Sequence, residues 1–296
     1  MDLLALADFT LVARHGGFGR AARAANRPKA TLSRRVSELE AALDLRLFER
    51  GARDLKLTEE GRALFARTGH LLTELEESAT AIASGSSAPK GRLRVSAPLL
   101  FAQTAMGKLA ADFALKHAAV RLEVTSDDRE VDMIEEGYDL VIRVNPAPDE
   151  SLVGRAFLRD RLVVVSSPAL ARPKGGMTVP AVVRTTGDRQ TWQVRSGDRI
   201  VTIPIDPVLG LSSLIMVRDA VRAGVGAGRL PISLVSHDLA DGRLVQWGEV
   251  DAPDIALWTL YPTRRLLSAR VAAFLDHLKQ AFPNGTPDEL AAYVGP

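Results

Sequence analysis

The order of apolar and polar positions divides the chain into a front of short helices and a rear in which strands and helices alternate. Over residues 29–43, "KATLSRRVSELEAAL", Leu32, Val36, Leu39 and Leu43 recur at spacings of four, three and four. At about 100° per residue these positions form one narrow stripe, so the segment is a helix that packs along that stripe. Upstream, Leu3, Leu6, Phe9, Leu11 and Val12 mark a first helix, Gly16–Gly17 breaks it, and an alanine-rich stretch from Phe18 to Ala25 supplies a second. Pro28 suits a first helical turn, and Asn26 just before it is a candidate cap. Downstream, Leu45 and Leu47, then Leu55 and Leu57, alternate around Gly51 and predict a two-stranded wing. Three short helices followed by such a hairpin make a winged helix-turn-helix, a small α+β domain.

From Thr58, which with Glu60 and Gly61 opens another helix, Gly61, Leu64, Thr68, Leu71, Leu75, Ser78 and Ile82 repeat at three and four. Such a seam is coiled-coil-like, and the small front domain does not offer enough surface to cover it, so a dimerising connector is expected. "SGSSAPKG" at 84–91 then has the composition of a hinge. Beyond it the pattern predicts strands at "RLRVSAP", "VRLEVTS", "YDLVIRV", "RLVVVSS" and "ALWTLYP". Helices are predicted at "LLFAQTAMGKLAADFALKH", "REVDMIEEG", "SLIMVRDAVRAG" and "LLSARVAAFLDHLKQAF". Alternation of this kind implies a mainly parallel sheet flanked by helices, and the length suffices for two α/β lobes.

Charge sharpens the picture at the front. The net charge of the 296 residues is only +2, so any basic surface must be local. It is: Arg20, Arg23, Arg27, Lys29, Arg34 and Arg35 fall in one stretch that contains no acid. On the wheel, Ala30, Thr31 and Arg34 lie opposite the buried stripe, with Ser33 and Arg35 on the flanks and Lys29 at the start. A small methyl, two hydroxyls and guanidinium groups are what a helix entering a major groove presents. Arg50 and Arg53 at the wing tip are placed to meet phosphates or a minor groove.

Composition excludes other classes. The absence of cysteine removes disulfides and thiolate metal sites and fits a reducing compartment. No basic leader precedes an apolar run, and no stretch of about eighteen apolar residues occurs, so a soluble, cytoplasmic protein without a membrane span is expected. The histidines at 15, 70, 117, 237 and 277 are scattered, and His237–Asp238 reads as a surface pair. "SDDREVDMIEE" reads as a solvated acidic face, and "AGVGAGRLP" follows a helix and lacks dinucleotide-loop spacing. With no GxSxG and no phosphate loop, neither catalysis, metal nor cofactor is expected.

"MDLLALADFTLVARHGGFGRAARAA", "LSRRVSELEAALDLRLFER" and "LKLTEEG" together resemble the N-terminal winged helix-turn-helix of LysR-type transcriptional regulators. "YDLVIRV", "LVVVSSPALA" and "YPTRRLLSARVAAFLDHL" resemble the effector-binding region of the same family, shaped like a type 2 periplasmic binding protein. The resemblance implies a DNA-binding domain at 1–62, a linker helix and hinge at 63–90, and an effector domain at 91–296. Within the last, it implies one lobe at 91–160 and 265–296 and a second at 161–264. It places DNA contacts on Lys29, Thr31, Ser33, Arg34, Arg50 and Arg53. It also departs in places: Gly17 stands for a usual serine, Ala25 for a usual leucine, and Leu100 for a usual hydroxyl. Around the effector it implies the turn holding Ser96, Leu99, Leu100 and Phe101, with Asn145 and Arg229 as further polar groups. A helix N-terminus attracts anions, and Leu100 beside Phe101 adds an apolar wall, so a carboxylate with an apolar body is the expected small molecule. The expected function is a regulator binding double-stranded operator DNA as a homodimer or homotetramer. A regulator working without any ligand is the alternative, and a solute-binding protein a more distant one.

Overall fold

The computed structural model describes every residue except 1, 50–54, 66, 70–71, 73–74, 76–87, 130–132, 134–135, 150, 175, 185–190, 198, 263–266 and 296. The chain divides into two compact units, residues 1–88 with 130–138, and residues 89–129 with 139–296.

In the first unit α1 (Leu3–His15) begins at Asp2, whose carboxylate accepts from the Leu4 N–H at 2.9 Å, and ends at Gly16 in the left-handed region. α2 (Phe18–Ala25) ends at Asn26, with φ 50°. Asn26 therefore closes α2 and does not cap α3 (Lys29–Leu43), which Pro28 precedes without a side-chain cap. A left-handed residue just past the last turn is a common helix stop, and the Asn26 N–H turns back to the carbonyls of its own helix. Leu6, Phe9 and Val12 of α1, Ala21 of α2, and Leu32, Val36 and Leu39 of α3 share one core with Leu47 and Phe48. Burying a side chain of this size stabilises by roughly 1.5–3 kcal/mol each. The wing is a single bridge, Phe48 to Leu57, with the Glu49 N–H donating to the Lys56 carbonyl at 2.9 Å.

Thr58 caps the helix that starts the connector, accepting from the Gly61 N–H at 3.0 Å. A Cβ on Gly61 would overlap the Leu47 carbonyl, so glycine is required for this helix to lie so close. Leu64, Phe65 and Leu72 then pack on the front core, and Gly69 meets Thr10. Gly61 and Leu64, expected in a dimer seam, are thus covered by their own domain, which reaches further along the helix than its size suggested. Leu75 is exposed, while Leu71, Ser78 and Ile82 lie outside the described residues.

The second unit contains two sheets. The first, in the order β2-β1-β3-β11-β4, is built from β1 (Gly91–Ala97), β2 (Val120–Ser126), β3 (Leu140–Val144), β4 (Leu152–Asp160) and β11 (Ile255–Pro262). α4 packs on it as a continuous rod of Leu99–Phe101, a π-helical segment Ala102–Met106 and Gly107–Lys116. α7 (Ala269–Ala281) packs beside α4, with Phe101, Leu109, Phe113, Phe274 and Leu278 buried among them. The second sheet closes on itself as β10-β5-β9-β6-β8-β7. Its strands are β5 (Leu162–Ser166), β6 (Val179–Arg184), β7 (Thr191–Ser196), β8 (Arg199–Leu211), β9 (Ala227–Pro231) and β10 (Val245–Val250). α5 (Leu214–Arg222) and α6 (Ile232–Ala240) cover one face through Val217, Val221, Leu234 and Val235, while Trp192, Ile203 and Trp247 fill the other side.

Two expectations change. The sheets are mixed: β1 is parallel to β2 and β3, yet β11 runs antiparallel to both β3 and β4. The antiparallel share comes from strands that cross between sheets and from the β7–β8 hairpin, neither of which needs a helix to return. β11 also lies in the first sheet, so the chain re-enters that lobe at Ile255, ahead of the boundary expected at 265. The helix expected at "REVDMIEEG" falls mostly outside the described residues. At the end, α8 (Pro287–Ala291) starts with a Thr286–Glu289 capping box; Leu290 joins the first sheet's core and Val294 the second's.

Candidate DNA interface and effector site

The front of α3 is divided by one aspartate. Asp8 on α1 is fully buried, and its carboxylate is bound by Arg27 and, at 3.3 Å, by Arg35. A buried carboxylate is tolerable only when compensated in this way. Arg35, expected among the DNA contacts, is half-buried with its guanidinium against Asp8. Arg20 is spent as well, donating from Nε to the His15 carbonyl at 2.7 Å and from Nη2 to the Gly16 carbonyl. Lys29, Ala30, Ser33 and Arg34 are exposed and Thr31 is half-buried, all on the first turns of α3. Arg34 is steadied by Glu38 one turn on, at 2.8 Å, an exposed pair that is easily exchanged for a phosphate or a base.

The acids further along α3 hold the fold. The Glu40 carboxylate accepts from the Leu47 N–H at 2.7 Å and the Phe48 N–H at 3.2 Å, and Asp44 closes the helix in the left-handed region. The basic front and acidic rear of this helix thus separate an outward face from inward ties. Arg50 and Arg53, expected at the wing tip, lie outside the described residues.

Of the expected effector residues, Ser96, Leu99 and Leu100 share the turn from β1 into α4. Ser96 is fully buried and its Oγ accepts from Arg143 Nη2 at 2.9 Å. The Leu99 N–H, expected to be open for an anion, donates to Asp128 Oδ1 at 2.8 Å. Leu100 is half-buried against the core of the second sheet. The other three have their side chains committed elsewhere. Phe101 is buried in the first sheet's core against Phe157 and Phe282. Asn145, with φ 42°, accepts from the Ala256 N–H at 2.8 Å and donates to the Asp254 carbonyl at 3.1 Å, so it ties β3 to the start of β11. Arg229 on β9 holds its guanidinium 5.7 Å from the centre of the Trp192 ring, and burial lowers its pKa.

Charged groups that sequence reasoning did not select surround the same turn. Asp127 is held below its usual pKa by the Arg129 backbone N–H, then by the Arg129 and Arg143 charges, and it pairs with Arg129 at 2.7 Å. Asp128 lies 3.7 Å from Arg184 at the end of β6. A separate groove of about 480 Å³ runs between β4, β11 and α7, with Arg155, Phe157, Arg159, Tyr261 and Lys279 in its walls; it contains none of the expected effector residues.

Residues 3–62 match the bacterial regulatory helix-turn-helix domain of the lysR family, and residues 86–283 match the LysR substrate binding domain. The chain is a LysR-type transcriptional regulator. An HTH-type transcriptional repressor from Pseudomonas aeruginosa is 29% identical to this regulator, across 99% of this chain and 98% of that one. The regulator PtxR from the same species is 28% identical, across 95% and 93%. Among solved structures, CrgA, a LysR-type regulator from Neisseria meningitidis, is 26% identical with a TM-score of 0.57, covering 96% of this chain and all of that one. Full-length LysG from Corynebacterium glutamicum, solved with bound arginine, shares the fold at a TM-score of 0.61 and 17% identity, covering 100% of both chains. The regulator is therefore a DNA-binding protein in which a helix-turn-helix precedes a two-sheet substrate-binding domain. No described helix is long and apolar enough to cross a membrane.

The residues missed by the sequence reading left one usable signal. A run of six basic residues with no acid needs a counter-charge, and Asp8 is an acid on the helix packed against it. Asp128, Arg143 and Arg184 come from three different strands or strand ends, and no local spacing joins them.

Proposed function

We propose that α3 is the recognition helix and that Lys29, Ala30, Thr31, Ser33 and Arg34 form its DNA-contacting set, with Arg50 and Arg53 of the wing on the flanking backbone. The observation that carries this is the division of cations by Asp8: two arginines are drawn inward, while Lys29 and Arg34 stay on the exposed front. Arg35 then acts by holding α3 to α1. Two copies paired through the connector read a site of approximate two-fold symmetry, because symmetry in the protein is mirrored in the operator; pairing of such dimers gives a tetramer. Leu75, exposed in the single chain, supports a connector that pairs beyond the part covered by its own domain.

The second unit, by its family a substrate-binding domain, takes a small-molecule effector between its two sheets near the β1–α4 turn. The expected carboxylate meets an obstacle there, since Asp128 already accepts from the Leu99 N–H. That contact also favours the second reading, a regulator that acts without a small molecule. The protein works in the cytoplasm, where its DNA is. A gel-shift with the DNA upstream of its own gene tests the first reading. Retardation at physiological salt that competitor DNA does not remove is the expected result. Equal affinity for unrelated duplex would refute it. Sedimentation at micromolar protein tests the pairing, and a monomer protecting two half-sites would refute the connector's role.

A further inference from the structure

Where the two sheets of the second unit meet, three contacts converge on the start of α4. Pro98, the residue before the first turn, offers no side-chain acceptor to the helix amides. The Leu99 N–H is instead satisfied by Asp128 Oδ1 at 2.8 Å, from the segment that follows β2. The other oxygen of that carboxylate, Oδ2, lies 3.7 Å from Arg184 Nη2, and Arg184 ends β6 of the second sheet. Leu100, the next residue, packs into the second sheet's core. A helix start and a guanidinium are the two groups that bind small anions most readily. Here a side chain of the protein itself stands between them. The other charges nearby are already engaged: Arg129 with Asp127, and Arg143 with the Ser96 hydroxyl and the Ile142 carbonyl.

We propose that Asp128 is an internal ligand. It fills the anion site formed by the Leu99 N–H and Arg184, latches the first sheet to the second, and must be displaced before an external anion binds there. Asp128 is then the specificity-determining residue of the junction: neutral and cationic ligands meet no competition from it, whereas a carboxylate does. The regulatory meaning of the latch rests on the reading that an effector lodges between the sheets.

The test uses the full-length protein, Asp128→Ala and the double variant Asp128→Ala/Arg184→Ala, all at fixed ionic strength. Asp128 and Arg184 are both exposed, so neither substitution empties a core. Benzoate and inorganic sulfate are the probes, measured by calorimetry, with amide exchange followed at residues 99–102. Asp128→Ala is expected to bind at least one probe about tenfold more tightly than the natural protein, as loss of a charged competitor predicts. Its Leu99 amide should exchange about tenfold faster, and the double variant should lose the gain in affinity. Equal affinity in the natural protein and Asp128→Ala would overturn the proposal, as would unchanged exchange or a gain that survives in the double variant. Where both gains appear but no anion alters operator affinity in a gel-shift, the internal ligand stands and the effector reading falls.

Discussion

Asp8 in the DNA-binding domain and Asp160 at the first crossover between the sheets are both withdrawn from water, yet their partners differ in kind. Asp8 is met by two guanidinium groups, Arg27 and Arg35. Asp160 is met by neutral donors, the Ser233 hydroxyl at 2.5 Å and the Arg161 N–H at 2.7 Å, while the Arg161 side chain turns to Glu249 at 2.8 Å. Burial raises the Asp160 pKa against the opposing pull of the Ser233 and Arg161 hydrogen bonds. The first site gathers Arg27 and Arg35 of the basic front onto one buried carboxylate. The second holds a carboxyl at the start of α6, where Pro231 provides no side-chain cap. One region uses electrostatics to sort a surface, the other to join two lobes.

The largest expected effect lies at the first site. Asp8→Ala leaves two arginines without their acceptor and should lower the unfolding free energy of the front domain by about 2–3 kcal/mol, below the figure for a fully buried pair because both arginines reach water. Urea unfolding at neutral pH measures it, and a loss under about 0.5 kcal/mol would end the contrast between the two aspartates. Arg34 and Arg35 sharpen it next. Arg34→Ala should weaken operator binding by roughly 1–3 kcal/mol, about five- to 150-fold, with stability unchanged. Arg35→Ala should lower stability first; operator affinity lost at full stability would return Arg35 to the DNA-contacting set.

The smallest effect concerns Asp160. A native pKa above the unfolded value means that the folded protein binds more protons between the two values. Stability from this group therefore falls as pH rises from near the unfolded value, about 4, through the raised native value. Asp160→Asn should flatten that part of the pH profile of thermal unfolding. Ser233→Ala, which removes one donor, should cost about 1 kcal/mol and move the fall to higher pH. A profile identical in the natural protein and Asp160→Asn would show that this carboxyl does not titrate across the window.

The front domain was legible because its signals are local. The Leu32–Val36–Leu39 stripe, the Gly16 stop and the Thr58 start each lie within a turn or two of what they determine. The role of Arg35 was not, because a helical wheel shows a flank position and not an aspartate 27 residues away on another helix. In the rear, β1, β2, β3 and β5 read as strands from local pattern alone, β3 and β5 as buried apolar runs and β2 as an alternation with Arg121 and Glu123 exposed. β8 was hidden by Pro204 and Pro207 inside a 13-residue strand, and proline argues against a strand in sequence. The sheet to which β11 belongs is set by pairing with β3 and β4, which no property of "ALWTLYP" announces. The short α8 was announced, since Thr286 and Glu289 are spaced as a capping box with Pro287 at the first turn, but it lacks the length that makes a periodic signal. The expected effector residues were the least legible in their contacts: Phe101 is buried in the first sheet's core, and Asn145 bonds the Ala256 N–H and the Asp254 carbonyl, neither of which local spacing announces.

Gly61 carries a mechanical consequence. With no side chain between it and the Leu47 carbonyl, the first turn of the connector is seated directly on the backbone that leads into the wing. Glu40 of α3 grips the Leu47 and Phe48 amides of that same backbone. Connector, wing and α3 are thereby tied at one point, the Leu47–Phe48 backbone, so a substitution that loosens it reaches all three elements at once.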